Sequence, residues 1–349
     1  VNWDLIPTNA IRSIHLVPIT DPVFGLNTLG GAVLLHTEDG LSAPGGDVGM
    51  EFGSFGKTSE QARYGTHAGD WSYFFAVQNQ HENGFAPYTA SSDRSLFGKV
   101  TRRANGNDLD FSYTFAKSHL AGSQTLPKQW MNTPTAVYTA PDNIDNQLNF
   151  FNLGDTQSLS PHWQLAAQLY LRNSDQSGFN SNVNGNYDGN TTTLGNSVAD
   201  NVLNGLQQQS RGLSLALHND NPLFGLGNHA SLGMSVDHQS VDFTQIQQAA
   251  TFTPQRYTVG VGPFDQGPVS LGVRNRYSGV YFTDRLAATP WLDLSAGGRY
   301  ERANVDMTDR LGGALGGNHS YSRFNPSVGL DLHPSPKASY YLRYAEGMR

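Results

Sequence analysis

The sequence contains no cysteine. It can form no disulfide framework and offers no thiolate, a usage that fits exposure to an oxidising compartment such as the periplasm. Charge is scarce as well: 15% of residues are Asp, Glu, Lys or Arg, against roughly 25% in a soluble domain. What charge there is leaves a formal net charge of −7, which disfavours nucleic acid as a partner. Long apolar runs are missing. No stretch approaches the roughly 18 residues of a spanning helix, and the mean hydropathy is −0.44. A chain of this composition can cross a bilayer only as a β-barrel. Motifs for chemistry are missing too. The histidines include no HExxH-type spacing, and no serine sits in a nucleophile elbow. Gly260-Val261-Gly262 lacks a third glycine and a βαβ setting, so it is a loop and not a dinucleotide site. His81-Glu82 stands alone at a strand end, where a solvated rim is the simplest account. No catalytic residue, metal site or cofactor is expected.

What the chain does have is glycine, 38 of 349 residues, and aromatics at 11%. It also has strict period-two patterning. Leu292, Leu294, Ala296 and Tyr300 fall on one face, and Asp293, Ser295, Arg299 and Glu301 on the other. Trp163, Leu165, Ala167, Leu169 and Leu171 oppose Gln164, Gln168, Tyr170 and Arg172. Leu109, Phe111, Tyr113 and Phe115 oppose Asp110, Ser112 and Thr114, and Val328, Leu330 and Leu332 oppose Ser327, Gly329 and Asp331. Each is a strand with one apolar and one polar face. About thirteen such segments run through the chain. They start near residues 46, 57, 70, 94, 107, 146, 162, 208, 228, 274, 290, 321 and 337.

The connections alternate in length. Short ones include Ala68-Gly69, Ala104–Asn107, Ser160–His162 and Thr289-Pro290. Long ones cover roughly 82–93, 118–145, 173–207, 239–273 and 304–320. Short turns on one rim and long loops on the other are the asymmetry of outer-membrane barrels. Trp71, Trp163 and Trp291 each follow a short turn, as a membrane girdle would, although Trp291 has the opposite parity to Leu292 and needs a bent strand start. Core tryptophans of a soluble sheet are the competing account.

Before the strands lies Ile6-Pro7 through Ala10-Ile11 to Leu16-Val17, then Phe24-Gly25-Leu26-Asn27-Thr28-Leu29-Gly30-Gly31 and the apolar run Ala32–Leu35. Paired glycines permit a tight turn and close packing. Together this string resembles the end of the plug domain of TonB-dependent outer-membrane receptors, with Gly25, Asn27, Gly30 and Gly31 at the plug-motif positions. It departs at Pro18-Ile19-Thr20, where most members carry Arg-Gly-Pro or similar. Residues 277–301, 324–335 and 340–349 resemble mid-barrel strands of the same family. The resemblance implies an all-β fold: a transmembrane antiparallel β-barrel, here about 13 of 22 strands, with the C-terminal remnant of an N-terminal plug. Residues 1–40 would be the end of the plug and 41–349 the partial barrel. The chain begins at Val1 without a signal peptide and ends in mid-pattern, so it is expected to be a fragment. An odd number of antiparallel strands would leave the sheet open and curved around the plug remnant.

The resemblance also implies a bacterial outer-membrane localisation and active uptake of a scarce ligand, most often a ferric siderophore. Its partners would be TonB with its inner-membrane energising complex, the iron-chelate or other small-molecule ligand, and outer-membrane lipid and lipopolysaccharide. The protein would act as a monomer, and it would not be an enzyme. Uptake of haem, cobalamin, a saccharide or a nickel chelate, a passive porin-like channel, and a secreted all-β enzyme or lectin are the alternatives. Plug–barrel contact is expected between Arg12 and Glu301, with Glu346 a second match that alternation places on the outer face.

The long loops hold Gln129, Trp130, Tyr138, Phe179, Tyr187, Phe252, Tyr257 and Phe264. Rings supply contact area at small entropic cost and amides adapt their hydrogen bonds, so these groups suit ligand capture. They suit loop-to-loop packing or lipopolysaccharide contact equally. Arg172, Arg211, Arg274, Arg276, Arg299 and Arg343 lie on or near polar faces. There they either draw an anionic chelate through the lumen or pair with Asp293, Asp331 and Glu301. The Asn/Gly-rich stretch 180–196, with Asp188, is a candidate for weak calcium binding or a mobile extracellular loop.

Overall fold

The computed structural model describes residues 2–17, 21–25, 30–122, 124–185 and 198–348. Two strands, β1 (Ile11–Val17) and β2 (Ala32–Thr37), pair antiparallel as a small sheet. The remaining strands form one antiparallel sheet in strict chain order. They are β3 (Gly45–Phe52), β4 (Thr58–Ala68), β5 (Trp71–Glu82), β6 (Ser91–Ala104), β7 (Asn107–Ala121), β8 (Asp142–Ser160), β9 (Trp163–Val183), β10 (Ala199–Asn219), β11 (Asn228–Phe252), β12 (Thr258–Thr289), β13 (Leu292–Asp309), β14 (Gly317–Ser335) and β15 (Ala338–Ala345). Among the described residues the sheet has 13 strands, with β3 and β15 at its edges.

Alternation assigns the faces. Phe75, Phe111, Leu171, Leu213, Phe282, Tyr300 and Val328 are exposed. Their neighbours of opposite parity face the N-terminal segment. Ala10 packs on Phe74, Ala76 and Phe97, and Leu5 on Ala116 and Leu148. The apolar faces therefore point outward and the mixed faces line a lumen that holds residues before about 40, the arrangement of a barrel wall. Polar contacts follow the same division. Asn9 donates to the Val77 carbonyl at 2.8 Å, and Asp4 accepts from Ser118 Oγ and from Asn146 Nδ2.

Strand existence matches the period-two pattern, and the strand lengths correct it. The long connections at 173–207 and 239–273 are mostly strand: β9 runs to Val183, β10 starts at Ala199, and β11 and β12 meet through a tip of only 253–257. β12 has 32 residues, about three times what a tilted strand needs to cross a bilayer. Beyond the apolar belt both faces meet polar surroundings, so residues such as Gln239–Gln248 carry no apolar alternation to announce the ladder. The loops before β6 and β8 are shorter than expected for the same reason, and β14 begins at Gly317.

Candidate functional site

Two regions gather polar and aromatic side chains. The first lies inside the sheet. Arg299 and Glu301 are both inward on β13, and only 6% and 3% exposed. Arg299 Nε donates to Glu301 Oε1 at 2.8 Å, Nη2 to Ser235 Oγ at 2.6 Å, and Nη1 to the Pro22 carbonyl at 3.3 Å. Its guanidinium also stands 5.7 Å from the Tyr281 ring centroid. Asn325 Nδ2 completes the set by donating to Glu301 Oε2 at 3.2 Å. The N-terminal segment meets this group at Gly25, whose φ is +75°. A Cβ there would lie 2.9 Å from Glu301 Oε1 and 3.0 Å from Arg299 Nη2. Glycine is thus required twice over, by dihedral and by contact. Beside the group runs a cavity of ≈ 260 Å³ lined by Tyr170, Asp237 and Tyr277, with Tyr170 Oη donating to Asp237 Oδ1 at 2.7 Å.

The second region caps the far end, where the long connections lie. Arg256, in the β11–β12 tip, has its guanidinium carbon 3.9 Å from the Phe252 ring centroid, 5.2 Å from Tyr138 and 5.7 Å from Trp130. Its Nε donates to the Tyr138 carbonyl at 2.7 Å. Trp130 and Tyr138 meet edge-on at 5.7 Å, as do Tyr88 and Tyr257 at 5.4 Å. Ala140 N donates to the Arg256 carbonyl and Thr258 N to the Ala140 carbonyl. These bonds lash the loop between β7 and β8 to the tip of β11–β12, across the top of β9 and β10. Ala86, Val137 and Ala140 form a small buried cluster beneath it. A guanidinium among rings can take an anionic, aromatic-rich ligand by charge and cation–π contact.

A third contact joins the N-terminal segment to the opposite rim. Asp39 accepts from the Leu41 and Ser42 N–H groups, each at 2.8 Å, and from Arg103 Nη2 at 2.7 Å. Burial pushes its carboxyl upward, but those N–H donors and the Arg103 charge outweigh burial and hold it below the ordinary carboxylate value.

The family model described as TonB dependent receptor-like, beta-barrel, matches residues 42–349. The chain belongs to the TonB-dependent receptor family. Solved receptors of similar fold include the ferric-catecholate import receptor Fiu of E. coli K12 in its open form, at TM-score 0.78 and 13% identity over 97% of this chain and 60% of that one. The ferric citrate transporter FecA, unliganded, aligns at TM-score 0.79 and 13% identity over 99% and 51%. The siderophore receptor PiuA of Acinetobacter baumannii aligns at 0.77 and 12% over 96% and 54%. At such identities the likeness establishes the fold. The chain spans between 51% and 60% of the length of these three receptors. No curated protein matches the sequence.

Within this TonB-dependent receptor barrel the residues singled out from sequence are distributed unevenly. Trp130, Tyr138 and Tyr257 come together in the cap, and Gln129 is exposed beside Trp130 in a short 3-10 turn. Phe179 does not join them. It lies on β9 with the parity of Leu169 and Leu171, on the outer face, 6.4 Å from the Phe264 ring. Tyr187, Asn27 and Asp188, with most of the 180–196 stretch, lie outside the described residues. Gly30 and Gly31 precede β2, Gly31 with φ +109°. The expected Arg12–Glu301 contact is corrected: Arg12 is exposed on β1, and Glu301 is held by Arg299 and Asn325. A guanidinium from the wall itself occupies the place, and among the described residues the N-terminal segment meets it through backbone at Pro22 and Gly25. Glu346 accepts from Arg323 and Tyr344 instead.

Of the expected wall pairs, Arg299–Glu301 and Arg343–Asp331 form, while Asp293 takes Arg285 and His333. Trp71 and Trp163 open β5 and β9, and Trp291 sits in the turn before β13, beside a register shift at Ala287/Thr289. Sequence reasoning missed Arg256, although it is a cation in the same short stretch as Phe252, Pro254 and Tyr257.

Proposed function

We propose that residues 1–40 are the end of a plug and residues 41–349 the first strands of a TonB-dependent importer in a bacterial outer membrane. The observation that carries this is the seating of the N-terminal segment inside the polar face of the sheet, against Arg299 and Glu301. A passive channel has no use for a segment that fills its lumen. In this reading a scarce ligand is caught at the cap by Arg256, Trp130, Tyr138 and Tyr257, with Gln129 as an adaptable hydrogen-bonding neighbour. Phe179, on β9, would belong to a more peripheral contact, and Tyr187 remains a ligand-contact candidate. TonB, energised from the inner membrane, then displaces the plug and opens a path inward. No covalent step is involved, so the protein is not an enzyme, and one copy suffices.

A ferric siderophore is the favoured ligand class, because a guanidinium with three rings around it suits a negatively charged, aromatic or carboxylate-bearing iron chelate. The named ligands of Fiu and FecA, ferric catecholate and ferric citrate, are of that kind. Trp71, Trp163 and Trp291 would form the girdle on the periplasmic side. The test is uptake of labelled ferric chelates by cells expressing the full-length gene as their sole receptor, with and without TonB. Saturable uptake that disappears without TonB is expected. Uptake that persists at the same rate without TonB would establish the porin-like alternative, and TonB-dependent uptake of haem, cobalamin or a saccharide alone would replace the ligand class.

A further inference from the structure

The two-stranded sheet of the N-terminal segment carries a histidine pair on one face. Register sets His15 opposite Leu34 and Ser13 opposite His36, so His15 and His36 are diagonal neighbours across β1 and β2. Alternation turns Ile14, Leu16 and Val33 to the other face. Both histidines are exposed. Their ring centroids lie 5.0 Å apart, with the ring planes inclined at 79°. Ser13 Oγ lies 3.1 Å from His15 Nε2. Histidines of the wall are placed differently: His119, His229 and His333 each stand beside an aspartate, and His218 stands beside Ser231.

Spacing gives this pair its meaning. An ion about 2.0–2.1 Å from each of two imidazole nitrogens, with its bonds near the tetrahedral angle, holds the ring centres about 5 Å apart. The observed separation is that one. Ser13 supplies what a ligating ring needs on its other side. When His15 donates its Nε2 proton to Ser13 Oγ, Nδ1 keeps the lone pair that a metal takes, and the second bond fixes the ring. Among the described residues no carboxylate or third imidazole joins the pair. The remaining coordination positions go to water, so the site is open and exchangeable, unlike a closed four-ligand zinc centre. Nitrogen donors without a carboxylate select a late transition metal over Mg²⁺ and Ca²⁺, which take oxygen. The sequence has no metal spacing here because residues 15 and 36 meet only through strand pairing.

We propose that His15 and His36 hold a late first-row divalent metal ion, Cu²⁺ above Zn²⁺ and Ni²⁺ in intrinsic affinity, and that the ion clips β1 to β2. A two-stranded sheet is marginal by itself. This one is closed at one end, where Glu38 N donates to the Ala10 carbonyl at 2.9 Å, and Lys99 Nζ of the wall donates to Thr37 Oγ1 at 3.3 Å. The histidines lie further along the pair, at the middle of its register. Their site exists only while the strands are paired, so whatever binds there favours the paired state. Both ligands belong to the N-terminal segment. The ion therefore stiffens that segment without tying it to the wall. The site depends on the pairing of β1 with β2 and is independent of the imported ligand.

The full-length protein, purified in detergent and stripped with a chelator, tests this by titration with Cu²⁺ followed by electron paramagnetic resonance. The wild type is expected to bind one ion more than the double variant H15A/H36A. The difference spectrum between the two should carry the splitting of two imidazole nitrogens. H15A and H36A singly should each reduce that splitting to one nitrogen and weaken the site. Zn²⁺ is expected to displace the copper and millimolar Mg²⁺ to leave it in place. With Zn²⁺ at ten times its dissociation constant, proteolysis of the N-terminal segment should slow about tenfold in the wild type and stay unchanged in H15A/H36A. A boiling-dependent gel shift equal to that of the wild type shows that each variant keeps its barrel. Equal copper stoichiometry and equal spectra in the wild type and H15A/H36A overturn the proposal, since the rings would then be in packing contact only. A wild-type difference spectrum with a single nitrogen overturns it as well.

Discussion

At the scale of single residues, the buried Arg299–Glu301 pair joins the wall to the N-terminal segment. Removing one partner of a buried pair leaves the other charged and unpaired, which costs about 3–5 kcal/mol. Arg299→Ala is therefore expected to lower unfolding stability by that order in denaturant titrations. It also removes the donor to the Pro22 carbonyl, so proteolysis of the N-terminal segment should quicken. Gly25→Val tests the same contact from the other side. Its Cβ cannot fit 2.9 Å from Glu301 Oε1 at φ +75°, and the segment should become protease-accessible while the wall keeps its strand content by circular dichroism.

Asp39 adds a pH dependence. Its folded value lies below the ordinary 3.8, so its tether is fully present above that value and is lost as pH falls through the lowered one. Cleavage near 41–45 should be unchanged from neutral pH down to about 5 and rise only below about 4. Asp39→Ala should show the fast, acid-type cleavage at neutral pH.

At the scale of elements, the cap depends on one hairpin tip. Arg256 binds the Tyr138 carbonyl and three rings, so Arg256→Ala unties the loop between β7 and β8 as well as removing a charge. Ligand affinity is expected to fall about tenfold or more, read by titration of the purified receptor, with the gel shift on boiling unchanged. Arg256→Lys should restore part of the charge effect but not the bond geometry. Sequence reading located Trp130, Tyr138 and Tyr257 as candidates. It assigned Phe179 to a loop and not to β9 because the stretch 173–207 lacks alternation, so the outward parity of β9 beyond Asn173 was invisible. It missed Arg256 because nothing local connects residue 256 to residue 138.

At the scale of the whole molecule, β3 and β15 leave ladder edges open. Unpaired edges template pairing with other chains. Residues 1–349 expressed alone are expected to associate through these edges and to show no change in gel mobility on boiling. The product of the full-length gene should show that change and remain monomeric. A soluble, monomeric 1–349 segment would contradict the barrel-wall account of the edges.

Strand number and the face parity of the alternating stretches at 109–115, 163–172, 292–301 and 327–332 were legible in the sequence alone. Inside the bilayer every second residue must be apolar and every backbone group must pair, and that pattern is written locally. The tertiary structure decided what the pattern does not encode. Past the apolar belt both faces of a strand are polar, so only pairing with a neighbour extends β11 to Phe252 and β12 back to Thr258. The partner of Glu301 proved to be Arg299, two residues along the same face of β13, and not Arg12, which lies exposed on β1. His15 and His36 likewise become neighbours only because β1 and β2 pair in register.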